Sequence, residues 1–229
     1  MKLLWQQIPS SEITTIYCNT DFEGIVLDDE HGCFNNETLV TLVKLINAHN
    51  KRSFVRLTEP NKTKIRTLLD SGVSGLIFST VEEDKISDII DNCFYPPKGK
   101  RGQGLVTENL WGQKPHLLQN ISPIIIAQIE TQEGIAQLPR INHLFDYYML
   151  GPYDLTADLG CVAEWDNLEY QNAINTFNSI IPEPKRAVHI VSNIEDEFKN
   201  KFKNYGLVAL GMDTTLLINS LSDIKNLIK

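Results

Sequence analysis

The sequence predicts an α/β protein of the (β/α)₈ TIM-barrel type, folded as a single domain over residues 1–229. Short apolar runs recur along the whole chain, and an amphipathic segment follows most of them. The runs are almost continuously apolar rather than alternating, which is typical of parallel strands covered on both faces. Eight such units in 229 residues fit one barrel, because barrels often have about 200–250 residues in one domain.

Eight apolar runs are the predicted strands, and they cover residues 3–8, 24–27, 53–57, 75–78, 123–128, 147–150, 187–191 and 207–210. Between them, apolar side chains recur at helical spacing. The predicted helices cover residues 38–48, 62–71, 84–93, 168–180, 194–202 and 215–228. No G-x-G-x-x-G motif opens a helix after a strand, which argues against a dinucleotide-binding open sheet.

One long connection interrupts this rhythm over residues 95–119, and it begins Tyr-Pro-Pro-Lys-Gly-Lys-Arg-Gly. Loops longer than about 12–15 residues are usually functional or disordered. Because proline and glycine fix a particular backbone path, we expect this loop to be functional and to cover the mouth of the active site.

Composition excludes several classes of protein. The net charge of −8 and the lack of a long basic cluster argue against a nucleic-acid partner. No apolar stretch reaches the roughly 18 residues of a membrane span, and the N-terminus lacks a signal-peptide core. The four cysteines are scattered without a C-x-x-C pair, as expected for reduced thiols in a cytoplasmic protein. Small molecules are the expected partners.

Two acidic residues stand where neighbouring predicted strands end. Glu130 follows the run Ile-Ile-Ile-Ala-Gln-Ile, and Asp154 follows Tyr-Tyr-Met-Leu-Gly-Pro-Tyr. Carboxylates at the ends of adjacent parallel strands can converge on one divalent cation, and Mg²⁺ or Mn²⁺ prefers such oxygen ligands. Each residue alone could instead be a carboxylate that stabilises a helix N-terminus. The pair together favours the metal site.

Other polar residues are expected at the same rim, because barrel active sites lie at the carboxyl ends of the strands. His31 follows the second strand, and Asp28 is close enough in sequence to orient its imidazole and raise its basicity. Arg56 near the end of the third strand could hold a carboxylate or pair with a neighbouring acid. Gln128 adds an amide. A Cys33–His31 nucleophile pair is conceivable, but no acyl-transfer signature accompanies it.

The chain resembles a known family through seven motifs that occur in order. They are Asp28-Asp29-Glu30-His31, Arg56, Leu69-Asp70-Ser71-Gly72, the Tyr95–Gly102 run, Gln128-Ile129-Glu130-Thr131, Gly151-Pro152-Tyr153-Asp154-Leu155-Thr156 and Ala209-Leu210-Gly211-Met212-Asp213-Thr214. Together they are similar to the metal-dependent pyruvate aldolases of the 4-hydroxy-2-oxoheptanedioate aldolase (HpcH/HpaI) family.

The resemblance implies a barrel of the phosphoenolpyruvate/pyruvate type, with a C-terminal helix at 214–229 that is swapped between subunits. It implies a homo-oligomer built from dimers, up to a hexamer, and a Mg²⁺, Mn²⁺ or Co²⁺ ion. Glu130 and Asp154 match the metal ligands, and Gln128 matches the polar residue beside them. The backbone amides near Tyr153 and Asp154 would receive the carboxylate of a keto-acid substrate.

The implied reaction cleaves a 4-hydroxy-2-oxoacid, or a 2-keto-3-deoxy sugar acid, to pyruvate and an aldehyde. Arg56 would hold the pyruvyl oxygen, and His31 with Asp28 would form the catalytic dyad that removes the 4-hydroxyl proton. A CoA-thioester lyase of the citryl or malyl type, an oxaloacetate decarboxylase and a non-catalytic keto-acid-binding paralogue remain as alternatives.

The chain departs from the family pattern at four places. It begins at about the first strand, so we expect the helix that usually precedes this strand to be missing and the barrel floor to be more open. Ser79 stands where the family usually has proline, which we expect to loosen a turn. Residues 105–109 lack the usual Ala/Arg-rich run, and Val188-His189 replaces a small Gly-Ile-like pair. We expect the last two changes to affect the choice of aldehyde more than the core chemistry. The alternation of strand residues does not decide whether His189 points into the mouth.

Overall fold

The computed structural model describes residues 1–120 and 122–228. Within these residues, eight parallel strands form a closed barrel in which each strand pairs with the next and β8 pairs with β1. The strands are β1 (Lys2–Gln6), β2 (Gly24–Asp28), β3 (Arg52–Leu57), β4 (Gly75–Phe78), β5 (Ile124–Ile129), β6 (Tyr147–Leu150), β7 (Arg186–Ile190) and β8 (Leu207–Met212). The predicted fold class is confirmed, and every predicted strand ends within two residues of the observed one.

Helices connect the strands on the outside of the barrel. They are α1 (Ser11–Cys18), α2 (Asn36–Ala48), α3 (Lys62–Asp70), α4 (Glu83–Cys93), α5 (Gln132–Ile141), α6 (Pro152–Asp158), α7 (Leu168–Ile180), α8 (Ile194–Glu197) and α9 (Asp213–Leu227). Short 3₁₀ turns cover Thr107–Asn109, Pro115–Asn120 and Glu183–Lys185, and one π turn covers Phe198–Phe202. The six predicted helical segments are present.

Three helices, α1, α5 and α6, were not predicted. Helix α1 has only eight residues, and its start is fixed by the Ser10 side chain, which accepts hydrogen bonds from the amides of Glu12 and Ile13. Helix α5 contains Pro139, a residue that normally argues against a helix interior. Helix α5 is capped in the same way, because the hydroxyl of Thr131 accepts a hydrogen bond from the amide of Gly134 at 2.9 Å. Side-chain capping therefore fixes the starts of α1 and α5.

Two apolar layers stabilise the barrel. Inward-facing side chains, with Trp5 and Phe54 among the largest, fill its interior. Residues of opposite parity on the same strands pack outward against the helices and form the larger core. Because strand side chains alternate, both faces are buried, which explains the continuous apolar runs in the sequence.

The long connection from residue 95 does not lie where we expected it. It joins the end of α4 to the first residue of β5, and a strand begins at the end of the barrel opposite to the mouth. Arg101 anchors it there: its guanidinium lies 2.6 Å from the Asp70 carboxylate at the end of α3 and 3.6 Å from Glu108. Within one chain, the expectation of a loop over the mouth is therefore wrong, because the path of α4 carries the loop to the other end.

The C-terminal helix α9 is attached by its first residue and exposes most of its length. The buried Asp213 carboxylate accepts hydrogen bonds from the backbone amides of Gln7 and Ile8 at 2.8–3.1 Å. Beyond it, the exposed apolar side chains of the helix are Leu216, Leu217, Ile218, Leu221, Ile224 and Leu227. None of the helices in the described residues is long and apolar enough to cross a membrane.

Candidate active site and metal centre

A layer of polar side chains closes the top of the barrel interior. Each member lies two residues beyond an inward-facing core residue of its strand, so alternation points it into the barrel mouth. We call this set the mouth layer, and it consists of Gln7, Asp28, Arg56, Ser79, Gln128 and His189, with Gly151 and Gly211 completing the ring. The rule that places barrel active sites at the carboxyl ends of strands therefore leads to these residues.

Asp28 and Arg56 form a buried bidentate ion pair. They are direct register partners of β2 and β3, and Nε and Nη2 of Arg56 donate to the two carboxylate oxygens at 2.8 and 2.7 Å. Trp5 and Gln7 each donate a further hydrogen bond at 3.1 Å. Burial alone would raise the pKa of Asp28, but the hydrogen bonds and charge of Arg56, with those of Trp5 and Gln7, hold it below its usual value.

The expected pairing of Asp28 with the His31 imidazole is not formed. The oxygens of Asp28 are occupied by Arg56, Trp5 and Gln7, and only the backbone amide of His31 reaches them, at 3.4 Å. The His31 side chain is 60% exposed on the rim, with Nε2 at 3.9 Å from Glu30. Asp28 thus orients Arg56 and, through the amides of Glu30 and His31, the backbone of the loop that carries the His31 imidazole.

Glu30 also belongs to the site, although no role was predicted for it. Its Oε2 lies 2.8 Å from Nη1 of Arg56, and its Oε1 accepts a hydrogen bond from the Ser79 hydroxyl at 2.8 Å. Ser79 is buried, and its amide donates to the carbonyl of Leu57. Instead of loosening a turn, Ser79 fixes Glu30. Arg56 has five N–H groups, of which these contacts use three, so two remain for a ligand.

Glu130 has one oxygen held and one oxygen free, although the residue is only 5% exposed. Its Oε1 accepts hydrogen bonds from the amide and hydroxyl of Thr80 at 2.7 and 2.6 Å, and its Oε2 is buried without a partner in the described residues. Burial, assisted by the charges of Asp154 and Glu30, raises the pKa of Glu130 despite the bonds from Thr80. A cation would relieve this unfavourable burial.

The backbone around Glu130 is shaped to leave that oxygen open. Thr80 has a φ of 45°, a conformation that costs energy for a β-branched residue and is often found at functional sites. A Cβ on Gly151 would lie 2.5 Å from Oε2 of Glu130 and 2.9 Å from the Gln128 amide nitrogen. Only glycine therefore permits this arrangement between β5 and β6.

Two further predicted site residues lie beside Glu130: the second predicted metal ligand, Asp154, and the predicted substrate-binding residue Gln128. Gln128 presents a buried Oε1 without a partner in the described residues. Asp154 is exposed in the first turn of α6, where its charge acts on Glu130. No cluster of three or more His, Cys, Asp or Glu side chains suited to a metal occurs in the part of the chain that the structure describes. The carboxylates of Glu130 and Asp154 and the amide oxygen of Gln128 are oxygen donors of the kind that hard divalent cations prefer.

Three aromatic side chains lie in or beside the mouth layer: Trp5, His189 and Tyr153. Trp5 stacks on His189 with ring centroids 4.1 Å apart, and the guanidinium of Arg56 lies 5.0 Å from the Trp5 ring centre. Tyr153 is 53% exposed beside Asp154 and meets Trp165 edge-on. Trp5 was not predicted as a site residue, and the direction of His189 was left undecided. Counting strand alternation from Leu3 and Ala187 would have placed both side chains inside the barrel.

Comparison with known proteins decides the family. The family described as HpcH/HpaI aldolase/citrate lyase matches residues 2–220. The chain belongs to this family. The resemblance stated from the seven motifs is confirmed, and membership of the HpcH/HpaI family makes the protein an enzyme of the carbon–carbon lyase type.

HpcH/HpaI relatives match over most of their length. The 4-hydroxy-2-oxo-heptane-1,7-dioate aldolase of Escherichia coli is 32% identical over 222 residues, which cover 93% of this chain and 85% of that protein. The enzyme of the same name from Salmonella heidelberg is 30% identical, with 93% and 84% covered. The crystal structure of an HpcH/HpaI family protein from Burkholderia cenocepacia superposes with a TM-score of 0.88 at 19% identity, over 100% of this chain and 94% of that one, and supports the fold.

Proposed function

We propose that the protein is a divalent-metal-dependent aldolase that cleaves a 4-hydroxy-2-oxoacid, or a 2-keto-3-deoxy sugar acid, to pyruvate and an aldehyde. The observation that carries the proposal is the Glu130 carboxylate, which lies buried just after β5 beside the barrel mouth that contains Arg56. Among the residues that the structure describes, its Oε2 has no hydrogen-bond partner. The names of the relatives, which are aldolases for a 4-hydroxy-2-oxo diacid, support the substrate class.

Glu130 and Asp154 would hold Mg²⁺ or Mn²⁺, or Co²⁺, with Gln128 beside them. When bound, such an ion supplies Lewis-acid stabilisation of negative charge on the oxoacid oxygens. The free Oε2 of Glu130 and the free Oε1 of Gln128 support this assignment, because buried polar atoms without partners are rare and usually mark a site. The first-turn amides of α6, at Tyr153 and Asp154, lack intrahelical acceptors and would receive the substrate carboxylate.

Arg56 would hold the 2-oxo group with its two remaining N–H donors. In the reaction, His31 removes the proton from the 4-hydroxyl group, the C3–C4 bond breaks, and the aldehyde carbonyl forms. The bonding electrons move to C3 and the 2-oxo oxygen, where Arg56 stabilises the charge of the enolate. Proton transfer to C3 then gives pyruvate. Asp28 and Glu30 keep Arg56 in place and do not need to exchange protons.

We also infer that a second copy of this chain covers helix α9 in a homo-oligomer built from dimers. The helix leaves a stripe of Leu217, Leu221 and Ile224 exposed at 50%, 63% and 57%, and exposed apolar surface of this extent usually marks an interface. A swap of the helix between subunits would bury the stripe. Domain swapping is a common route to dimers.

Pyruvate release from a panel of 4-hydroxy-2-oxoacids tests the proposal. The protein is treated with EDTA, assayed, and assayed again after Mn²⁺ is returned. We expect turnover only with the metal. Turnover of equal rate in EDTA would contradict the metal-dependent mechanism. Binding of metal and pyruvate without turnover of any oxoacid would instead favour a keto-acid-binding protein.

A further inference from the structure

His189 faces the barrel mouth and is fixed there on two sides. It lies two residues beyond Ala187, an inward-facing core residue of β7, so its side chain shares the face of the mouth layer. One side of the imidazole lies flat on Trp5, at 4.1 Å between centroids and 12° between planes. The indole is itself held by its hydrogen bond to Asp28. The ring therefore has a defined position without contacting the proposed metal ligands.

The hydrogen bond of Nε2 decides the tautomer of His189. Nε2 lies 3.1 Å from the backbone carbonyl oxygen of Gly211, and a carbonyl can only accept, so Nε2 carries the proton. Burial, with the charge of Arg56 nearby, lowers the pKa of His189 to about 4 although the bond to Gly211 opposes this. At neutral pH the ring is uncharged, and Nδ1 is a pure acceptor.

Nδ1 of His189 remains available to a ligand. It makes no hydrogen bond in the described residues, and it is not among the buried polar atoms that lack a partner. His189 is half-buried, so its free nitrogen is reached from the mouth. A neutral acceptor is suited to a hydroxyl donor and not to a carboxylate.

The position of His189 indicates which half of a substrate it meets. Arg56 belongs to β3 and Gln128 to β5, while Glu130 directly follows β5 and Asp154 follows β6. The pyruvyl half would therefore occupy that side of the mouth. His189 on β7, with Gly211 on β8 and Trp5 on β1, lines the other side. The aldehyde-derived half of the substrate has to extend over these residues.

We propose that Nδ1 of His189 accepts a hydrogen bond from a hydroxyl group of the aldehyde-derived half, so that the protein selects hydroxylated aldehydes over plain aliphatic ones. This rests on the proposed aldolase function. The bond would be lost with an aldehyde that has a methyl group in place of the hydroxyl. Since one net hydrogen bond changes an equilibrium about fivefold, we expect a preference of about this size.

The test uses the aldol addition of pyruvate to glycolaldehyde and to propanal, an isosteric pair that differs by hydroxyl against methyl. The quantity compared is the ratio of kcat/KM for the two aldehydes, measured with the Mn²⁺-loaded enzyme. We expect a ratio of about five for the wild type and a ratio near one for His189→Leu. In His189→Asn the side-chain amide puts an acceptor near the place of Nδ1, and the ratio should recover.

His189→Gln supplies the matched contrast, because its longer amide can keep the donor to Gly211 but offers nothing at Nδ1. The ratio for His189→Gln should fall close to one, as in His189→Leu. If His189 had only a structural role, His189→Gln would keep the ratio of the wild type. An unchanged ratio in His189→Leu would overturn the assignment. Deuterium exchange of the pyruvate methyl protons in the wild type tests the underlying function separately. Its absence would refute the aldolase reading and the His189 proposal with it.

Discussion

Ser79 donates a hydrogen bond from its hydroxyl to Oε1 of Glu30 at 2.8 Å, and Glu30 in turn holds Nη1 of Arg56 at 2.8 Å. Ser79→Ala should therefore release Glu30 and lower the free energy of unfolding by about 1 kcal/mol, the usual worth of a hydrogen bond to a buried partner. Urea unfolding at pH 7 measures the change. Ser179→Ala, at an exposed helical position, is the control, and an equal effect in both variants would refute the role of Ser79.

Asp28→Asn should destabilise the fold more strongly. The substitution leaves the buried Arg56 guanidinium with Glu30 as its remaining acidic partner, and loss of one member of a buried ion pair costs about 3–5 kcal/mol. The triple variant Asp28→Asn/Glu30→Gln/Arg56→Met should recover part of the loss, because it removes Arg56 together with both of its acidic partners. A triple variant less stable than Asp28→Asn alone would contradict this account.

The effect of Asp28 should also depend on pH in a defined direction. Its pKa in the folded protein lies below the ordinary value, which is about 4 for aspartate. Its stabilisation is fully present above about pH 4 and is lost as the pH falls from there through the folded-state pKa. The difference in unfolding free energy between wild type and Asp28→Asn should thus shrink below about pH 4 and stay constant from pH 5 to 8.

Glu130→Gln should stabilise the metal-free protein. Because burial raises the pKa of Glu130, its charged form is unfavourable in the fold above that pKa, and the penalty disappears as the pH falls toward the ordinary value. In EDTA at pH 7.5 we expect a gain of about 0.5–2 kcal/mol, as often found when a strained functional group is removed. Thermal unfolding measures it. Glu133→Gln, at an exposed site of α5, should be neutral; a Glu130→Gln protein that melts below it would contradict the prediction.

Helix α9 allows a direct test of assembly. Leu217→Asp/Leu221→Asp places two charges on the stripe that continues through Ile224 at helical spacing. We expect light scattering to show a smaller assembly for this variant than for the wild type. Asn219→Asp/Asn226→Asp adds the same charge on the opposite face and should leave the assembly intact. Equal assembly in both variants would exclude the stripe as an interface.

The sequence was sufficient to predict the barrel. Parallel strands that are buried on both faces appear as apolar runs, which can be recognised without knowing which strands pair with each other. It was also sufficient to bring Glu130, Asp154, Arg56 and Gln128 to one rim. The partner of Asp28 was not predictable from motif spacing. His31 is three residues away, but the register of β2 with β3 sets Asp28 directly opposite Arg56, and register is a property of the closed sheet.

The long connection from residue 95 shows a second limit. Its proline and glycine content indicated a fixed path but not its direction, and the path of α4 decides at which end of the barrel the loop lies. The role of Ser79 depended likewise on contact with Glu30, a residue 49 positions away in the chain. Such long-range side-chain contacts are set by packing, and they cannot be predicted from the residues that adjoin either partner in the sequence.

Binding of Mn²⁺ to the EDTA-treated protein, measured by calorimetry at pH 7.5, tests the central assignment of Glu130 and Asp154 most directly. We expect one site per chain in the wild type and in His31→Ala, because His31 acts on the substrate and not on the metal. Glu130→Gln and Asp154→Asn should each lose affinity by more than about 100-fold, beyond the 10–100-fold typical of outer-shell substitutions. Wild-type affinity in Glu130→Gln would contradict the metal centre described for this barrel.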